Sequence, residues 1–379
     1  MRRGTIGLAL ILAAARAAAQ EPPPLFQPEQ QYSFKLKVDA LTREEWTASI
    51  FDGAGRFHNE DRWRLRAVPR VEIGINKLTL GVGGDFNWSS DKNYVPATQP
   101  IIRDNYRSRD ARVDLAFARW QVSRGLRLEG GRFEMPVSLT EMLWDRDLRP
   151  QGGALTLEAH DEGARPRLGL TLLAARGSHV FDDGGVGMLL ASGAGFFGAG
   201  EHGRIELRGS FLRFTAVEKL ELRIRRQNSR RNGLVFQDYD VADAIARYRR
   251  DGGVPVQLVA DLSWNLGASK TARAAGEAPR KNRRGLWLAA VLGSTRTARL
   301  RGEYTFARVD KDATVAAYAT DDFFWATGWL GHRGDLGIKV TGHIAFHLLG
   351  QLQRFKDSAR VEERDHWVKR YRYEFRVSY

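Results

Sequence analysis

The sequence predicts an all-β chain folded as a closed, membrane-spanning antiparallel β-barrel of about sixteen strands, with fourteen and eighteen as the neighbouring counts. Three observations predict it. Apolar and polar residues alternate with a period of two in one segment after another, which gives strands with one apolar and one polar face. Those segments run to about ten residues or more, the length a tilted strand needs to cross the hydrocarbon of a bilayer. Their connections alternate between very short and long, and tryptophans (Trp63, Trp88, Trp120, Trp264, Trp367) sit near the segment ends, where interfacial girdles form.

The chain opens on a leader. Arg2 and Arg3 make a basic start, residues 6–15 are an uncharged apolar run, and Ala17, Ala18 and Ala19 supply small residues for cleavage before Gln20. The run is too short for a membrane helix, so residues 1–19 read as a signal peptide. Residues 20–30 (QEPPPLFQPEQ) read as a proline-rich periplasmic linker, and 31–379 as the barrel. Beyond Gln20 no apolar stretch approaches the roughly 20 residues of a spanning helix. Cysteine is absent, which excludes a disulfide framework and thiolate chemistry. Removing Arg2, Arg3 and Arg16 with the leader takes the formal charge from +14 to +11. Such a charge suits anionic lipid or small anions, and export excludes nucleic acid as partner.

The alternation is explicit. Tyr32, Phe34, Leu36 and Val38 are separated by Ser33, Lys35 and Lys37. Leu78, Leu80, Val82, Gly84, Phe86 and Trp88 share one face, as do Ile205, Leu207, Gly209 and Phe211. The same holds for Val256–Trp264, for Leu300–Phe306 and for Ile344, Phe346, Leu348 and Leu352. Short turns are expected at Ile75-Asn76-Lys77, Ser123-Arg124-Gly125, Asp161-Glu162-Gly163, near 199–202, at Asp251-Gly252-Gly253, at Ser294-Thr295-Arg296 and at Gly342-His343. Long segments fall at 90–106, 136–152, 265–282 and 311–331. Seven short turns with both chain ends on the same side give sixteen strands. Residues 203–249 fit least well: a strand running from Gly203 towards Ile224 switches its apolar face near Phe214, which calls for a bulge. Leu286–Leu292 is apolar on both faces.

The last strand is the sharpest local signal. Tyr371, Tyr373, Phe375, Val377 and Tyr379 occupy one face, and Arg370, Arg372, Glu374, Arg376 and Ser378 the other. An edge strand of a soluble sheet with five exposed apolar residues would aggregate. A chain stopping on an aromatic also resembles the signal read by the outer-membrane assembly machinery, so that machinery, through Tyr379, and outer-membrane lipid are expected partners.

Three stretches resemble a family of bacterial outer-membrane porins distantly related to the phosphate-selective porins. They are GRFEMPVSLTEMLWDRDLRPQGGAL (131–155), with Trp144, Asp145, Asp147, Pro150 and Gly152; GVPVQLVADLSWNLGA (253–268); and residues 285–341, where 310–313 and 320–323 stand at the family's acidic loop elements. Some members carry an N-terminal coiled coil where this chain has its proline-rich linker, and 177–250 matches poorly. The resemblance implies a barrel in the bacterial outer membrane that passes small anionic or neutral solutes, without cofactor or catalytic residue, as a homotrimer or a monomer.

A pore needs charge on inward positions. With the apolar faces outward, the inward set on the first, second and last strands is Lys35, Lys37, Arg62, Arg64, Arg66, Arg370, Arg372 and Arg376, against Asp39, Glu374 and Asp61. In a closed barrel these strands are neighbours, so the eight cations form one basic wall, with mild anion preference as the consequence. The other reading is that the arginines pair with carboxylates on adjacent strands and stiffen the barrel. The loop 136–152, with Glu141, Asp145, Arg146, Asp147 and Arg149, has the mixed charges of an inward constriction, or pairs them within an outward loop. Lys311, Asp312, Asp321 and Asp322 suit loop capping better than calcium, and no metal is expected. An enzyme is not expected: His160, His343 and His347 stand beside no nucleophile signature. The alternative function is a structural or adhesive barrel without an open pore.

Overall fold

Sixteen antiparallel strands close into one barrel in a computed structural model that describes residues 31–51, 56–90, 104–160, 166–200, 202–231, 234–235, 237–267, 282–323, 325–356 and 364–379. The expected signal peptide (1–19), the expected linker (20–30) and the expected turn at 161–163 lie outside the described residues. The strands are β1 (Tyr32–Phe51), β2 (Phe57–Ile75), β3 (Leu78–Ser89), β4 (Asp110–Ser123), β5 (Leu126–Arg132), β6 (Gln151–His160), β7 (Pro166–Arg176), β8 (Gly187–Gly198) and β9 (Gly203–Thr215). A separate two-stranded ladder, β10 (Arg230–Arg231) and β11 (Leu234–Val235), interrupts the series. It resumes with β12 (Tyr239–Arg250), β13 (Val256–Asn265), β14 (Arg284–Gly293), β15 (Leu300–Val309), β16 (Trp329–Lys339), β17 (Ile344–Phe355) and β18 (Trp367–Ser378). Each barrel strand pairs with its chain neighbours, β9 pairs with β12, and β1 closes on β18.

Closure follows from edge chemistry. An open edge would leave a row of unpaired N–H and C=O groups that hydrocarbon cannot satisfy. The β1–β18 ladder removes it from Asp39↔Ser378 to Ala48↔Lys369, and Val38 and Tyr379 exchange both backbone hydrogen bonds at 3.0 Å. Among the described residues the connections β2–β3, β4–β5, β12–β13, β14–β15 and β16–β17 lie at one end of the barrel, where Asn76 takes the left-handed conformation (φ 52°) that its tight turn requires. The long connections β5–β6 and β15–β16 lie at the other, here called the loop end.

The outward face is apolar and girdled. Tyr371, Tyr373 and Phe375 are exposed on it, as are Trp63, Trp88 and Trp264 towards the loop end and Tyr32 and Trp120 at the turn end. Among the register shifts of the described ladders, the one between β3 and β4 falls between Gly83 and Gly84, where both Asp114 and Leu115 turn inward.

The expected bulge near Phe214 is absent. The pairing of β9 with β8 and β12 runs unbroken through Phe214, and the strand ends at Thr215, before Ala216 enters the left-handed region (φ 61°). Leu212 and Phe214 simply keep their inward positions and are buried there. The apolar face switches because the lumen beside them is packed with apolar loop residues rather than water. The same packing accounts for Tyr239 and Val241 on the inward face of β12 and for Trp287 on β14.

Candidate functional site

The lumen wall formed by β18, β1 and β2 carries all eight cations expected there. The registers Arg372↔Glu45↔Arg62, Glu374↔Arg43↔Arg64 and Arg376↔Leu41↔Arg66 bring them side by side. Two inward cations, Arg43 and Arg70, extend the set, and the alternation of β1 already placed Arg43 in phase with Lys35 and Lys37. The carboxylates differ from expectation. Asp61 pairs across from Trp46 on the outward face, whereas Glu45 and Glu72 face inward.

The wall has two zones. Towards the loop end the guanidinium groups are buried and paired. Glu45 accepts from Arg62 at 2.6 Å and from Arg372, and lies 3.4 Å from Arg370. Arg43 meets Glu374 at 2.6 Å and Arg62 meets Asp104 at 3.1 Å. Arg66 bridges Asp85 at 2.9 Å and Asp147 at 2.5 Å. Arg64 donates to Asn87 at 2.9 Å and lies over the Tyr106 ring. Towards the turn end, Lys35 and Lys37 are exposed, with Lys37 only 3.7 Å from Glu72, and Arg376 is held by Glu374 at 2.5 Å. The buried zone is held as a scaffold; the turn-end zone meets solvent.

The loop between β5 and β6, residues 133–150, crosses the lumen. Its Asp147 holds Arg66 on β2, its Thr140 hydroxyl donates to Asp261 on β13, and its Glu141 accepts from Arg333 on β16 at 2.8 Å. Arg247 on β12 donates to its Ser138 carbonyl at 2.5 Å, and its Arg149 meets Asp114 on β4 at 3.0 Å. Arg146 pairs with Glu141 and stays mostly exposed, pointing towards the turn end.

Above this loop, on its loop-end side, lies a second one, residues 310–328 between β15 and β16. Every residue from Asp312 to Asp321 is buried. Tyr318 is stacked between Trp144 (5.5 Å, 10°) and Phe214 (5.6 Å, 8°), and its hydroxyl donates to Asp183 at 3.1 Å. A Cβ on Gly177 would overlap the Tyr318 ring, so a side chain there would displace the ring from its stack. Phe323 stacks on Trp329 at 4.4 Å. With Leu143, Val186, Leu220 and Ile224 from other connections, these residues make an apolar core inside the loop-end half of the barrel.

Asn105 ties the loops together. Its side chain donates to Asp145 at 2.8 Å and to the Ala319 carbonyl at 2.9 Å, and its backbone N–H donates to Asp321 at 2.7 Å. One oxygen each of Asp145, Asp147 and Asp321 lies within 4.8 Å of the others, but these groups already accept from Asn105, Arg66 and the Asp321 N–H. Asp312 is a capping residue: it accepts from the Ser229 N–H and hydroxyl and from Tyr239. Asp322 lies 2.7 Å from Arg372 and 3.5 Å from Arg43. His347 faces the lumen against Asp335 at 2.8 Å, His160 lies 3.4 Å from Glu158, and His343 packs on Tyr379.

Burial pushes the Asp145 carboxyl well above its usual range, and Asp321 and Asp147 push it further. Asp321 is raised for the same reasons, burial first and then Asp147 and Asp322. Burial would also raise Asp147 and Asp322, but Arg66 and Arg64 hold the first below its usual range, and Arg372, Arg43 and Arg333 hold the second there. Protonation of Asp145 or Asp321 therefore favours the folded contact. That contribution is full at acid pH and is lost as the pH rises through the elevated pKa values. The Asp147 and Asp322 contributions run the other way, fading only as the pH falls below the ordinary carboxylate range. The Asp321 N–H, which donates to Asp145, is expected to be better protected from exchange at about pH 5 than at about pH 8 once intrinsic rates are removed. Equal protection at both would contradict the shared carboxyl contact.

Below the crossing loop, between it and the wall β12–β16, lies a cavity of about 520 Å³. It is lined by Arg247, Arg249, Arg296, Arg301 and Arg333, by Val259, Ala289 and Val291, and by Glu141 and Glu303.

A family model described as putative porin matches residues 52–187, a range that takes in the 131–155 stretch and ends before 253–268 and 285–341. Two solved outer-membrane porins share the fold. OprB of Pseudomonas putida is 10% identical, covers 91% of this chain and 94% of its own, and superposes with a TM-score of 0.58. OmpF of Salmonella typhi, solved with daunomycin, is 14% identical, covers 91% and 97%, and gives 0.54. Among curated proteins none matches the sequence.

Proposed function

Taking as premise that residues 52–187 match a family model described as putative porin and that the barrel has the fold of solved porins, we propose that the chain is an outer-membrane channel for small hydrophilic solutes with mild anion preference. The observation that carries the reading is the loop 133–150, which crosses the lumen and touches the barrel on β2, β4, β12, β13 and β16. Such a loop sets a size limit, and its paired acids and bases give the limit a transverse field. Short turns face the periplasm and the loop end faces outside in this orientation.

Anion preference is assigned to the solvent-facing cations at the turn end. Buried pairs are neutral at a distance, whereas exposed charges within a screening length of about 8 Å still act on a passing ion. Replacing Lys35, Lys37 and Arg376 together with Ser is expected to move the reversal potential in a salt gradient towards cation selectivity, with the barrel intact. An unchanged reversal potential would remove the wall from the account.

The buried core of loop 310–328 favours a second reading, a structural or adhesive barrel whose lumen is permanently filled. Planar-bilayer conductance of the refolded chain decides between them. Discrete conductance steps support the channel; none above background supports the filled barrel.

A further inference from the structure

We propose that the cavity beneath the crossing loop is a binding site for carboxylates that carry an apolar body, such as small aromatic acids. The inference rests on the channel reading and names a class of solute for it.

The cavity combines two features that a passive electrostatic funnel does not need together. The first is guanidinium groups free to take a ligand. Arg249 on β12 and Arg296 in the β14–β15 turn are exposed, and neither side chain makes an ion pair among the described residues. A guanidinium presents a planar fork of donors that matches a carboxylate with two parallel hydrogen bonds.

The second is an apolar ledge on a wall that should be polar. Inward positions of a water-filled barrel are normally hydrophilic. Here Val259, Ala289 and Val291 face inward, with Leu139 of the crossing loop also on the lining. This is the segment that reads as apolar on both faces in the sequence. The register sets Arg247, Val259, Ala289, Thr305 and Arg333 in one row across five strands, so a span of Val259 and Ala289, followed by Thr305, lies between two arginines. Those two are already held, Arg247 by Glu206 at 2.9 Å and Arg333 by Glu141 and Glu303, and they frame the span. One step towards the turn end, Arg249 pairs across from Gln257, which pairs across from Val291. A ligand carboxylate at Arg249 and Arg296 therefore lays its apolar part on Val291, Ala289 and Val259.

The test is calorimetric titration of the refolded full chain in non-ionic detergent, corrected against empty micelles, with benzoate as the probe. Acetate and inorganic phosphate report the charge alone, and benzamide reports the ring alone. Benzoate is expected to bind about tenfold or more tighter than any of the three, and Arg249→Ser with Arg296→Ser to weaken it about tenfold or more, since both groups lie outside the ion-pair scaffold. Val291→Asp is expected to abolish binding. Equal binding of benzoate and phosphate, equal binding of benzoate and benzamide, no binding at all, or an affinity unmoved by the double arginine variant would each overturn the proposal. Conductance, measured without ligand, tests the channel reading separately, so a site without conductance and a channel without a site are distinguishable.

Discussion

Tyr318→Ala is expected to open the loop-end half of the lumen, raising single-channel conductance several-fold while the barrel still forms. Tyr318 is fully buried and stacked on both ring faces, by Trp144 from the crossing loop and by Phe214 from β9. Removing a buried aromatic side chain costs about 3–5 kcal/mol, because the lost burial is compounded by the cavity left behind. The barrel ladder does not bear that cost. The contact between two loops and one wall does, and loops open before the strands of a closed ladder do. Tyr318→Phe separates packing from polarity. It removes one hydrogen bond, worth about 1 kcal/mol, and Asp183 keeps the N–H groups of His179 and Gly185 as donors. Conductance of the phenylalanine variant is therefore expected to stay near that of the unaltered chain. If the alanine variant conducts like the unaltered chain, loop 310–328 does not control the pore.

The barrel was legible in the sequence because bilayer physics writes it in a period of two. Outward residues must be apolar over the whole span, so Leu300–Phe306 or Tyr371–Phe375 announce their face without reference to the rest of the chain. Turn length then gave the strand count. The contents of the lumen were not legible by the same rule. Alternation assumes water on the inner side, and where loops fill the lumen both faces turn apolar, as at Phe214, Val241 and Trp287. Those departures were the available signal for an internal core, together with the small-residue run Ala313–Ala319, which suits close packing better than an acidic outer loop. The cations of the wall were legible by position, but their partners were not. Asp85, Asp104, Asp147 and Asp322 reach them from other strands and loops, and such pairing depends on three-dimensional placement rather than on spacing.

Glu45 is where that pairing has its largest expected effect on stability. Its carboxylate is buried on β1 between three guanidinium groups, those of Arg62, Arg370 and Arg372. A buried ion pair adds little net stability over a well-packed apolar pair, because both charges must leave water. Removing one partner is a different matter, since the charges left behind remain desolvated without compensation, at about 3–5 kcal/mol. Asp104 still serves Arg62, Asp322 still serves Arg372, and Arg370 still reaches the Thr47 hydroxyl at 3.2 Å and the Asp322 carbonyl at 3.4 Å, so the loss is spread over three cations that each keep a contact. Glu45 also sits on the strand that closes the barrel, and the repulsion it suppresses spans the β18–β1–β2 junction. Glu45→Ala is therefore expected to lower the denaturant midpoint of the refolded barrel markedly and the temperature at which it loses its folded gel mobility. Lys37→Ser, at an exposed pair, is expected to change stability by no more than about 1 kcal/mol. Replacing Arg370 by Met in the Glu45→Ala background removes one of the three cations that Glu45 compensates and is expected to recover part of the loss. A Glu45→Ala barrel as stable as the unaltered one would mean that the buried arginines find other partners, and that the wall is held by its backbone ladder alone.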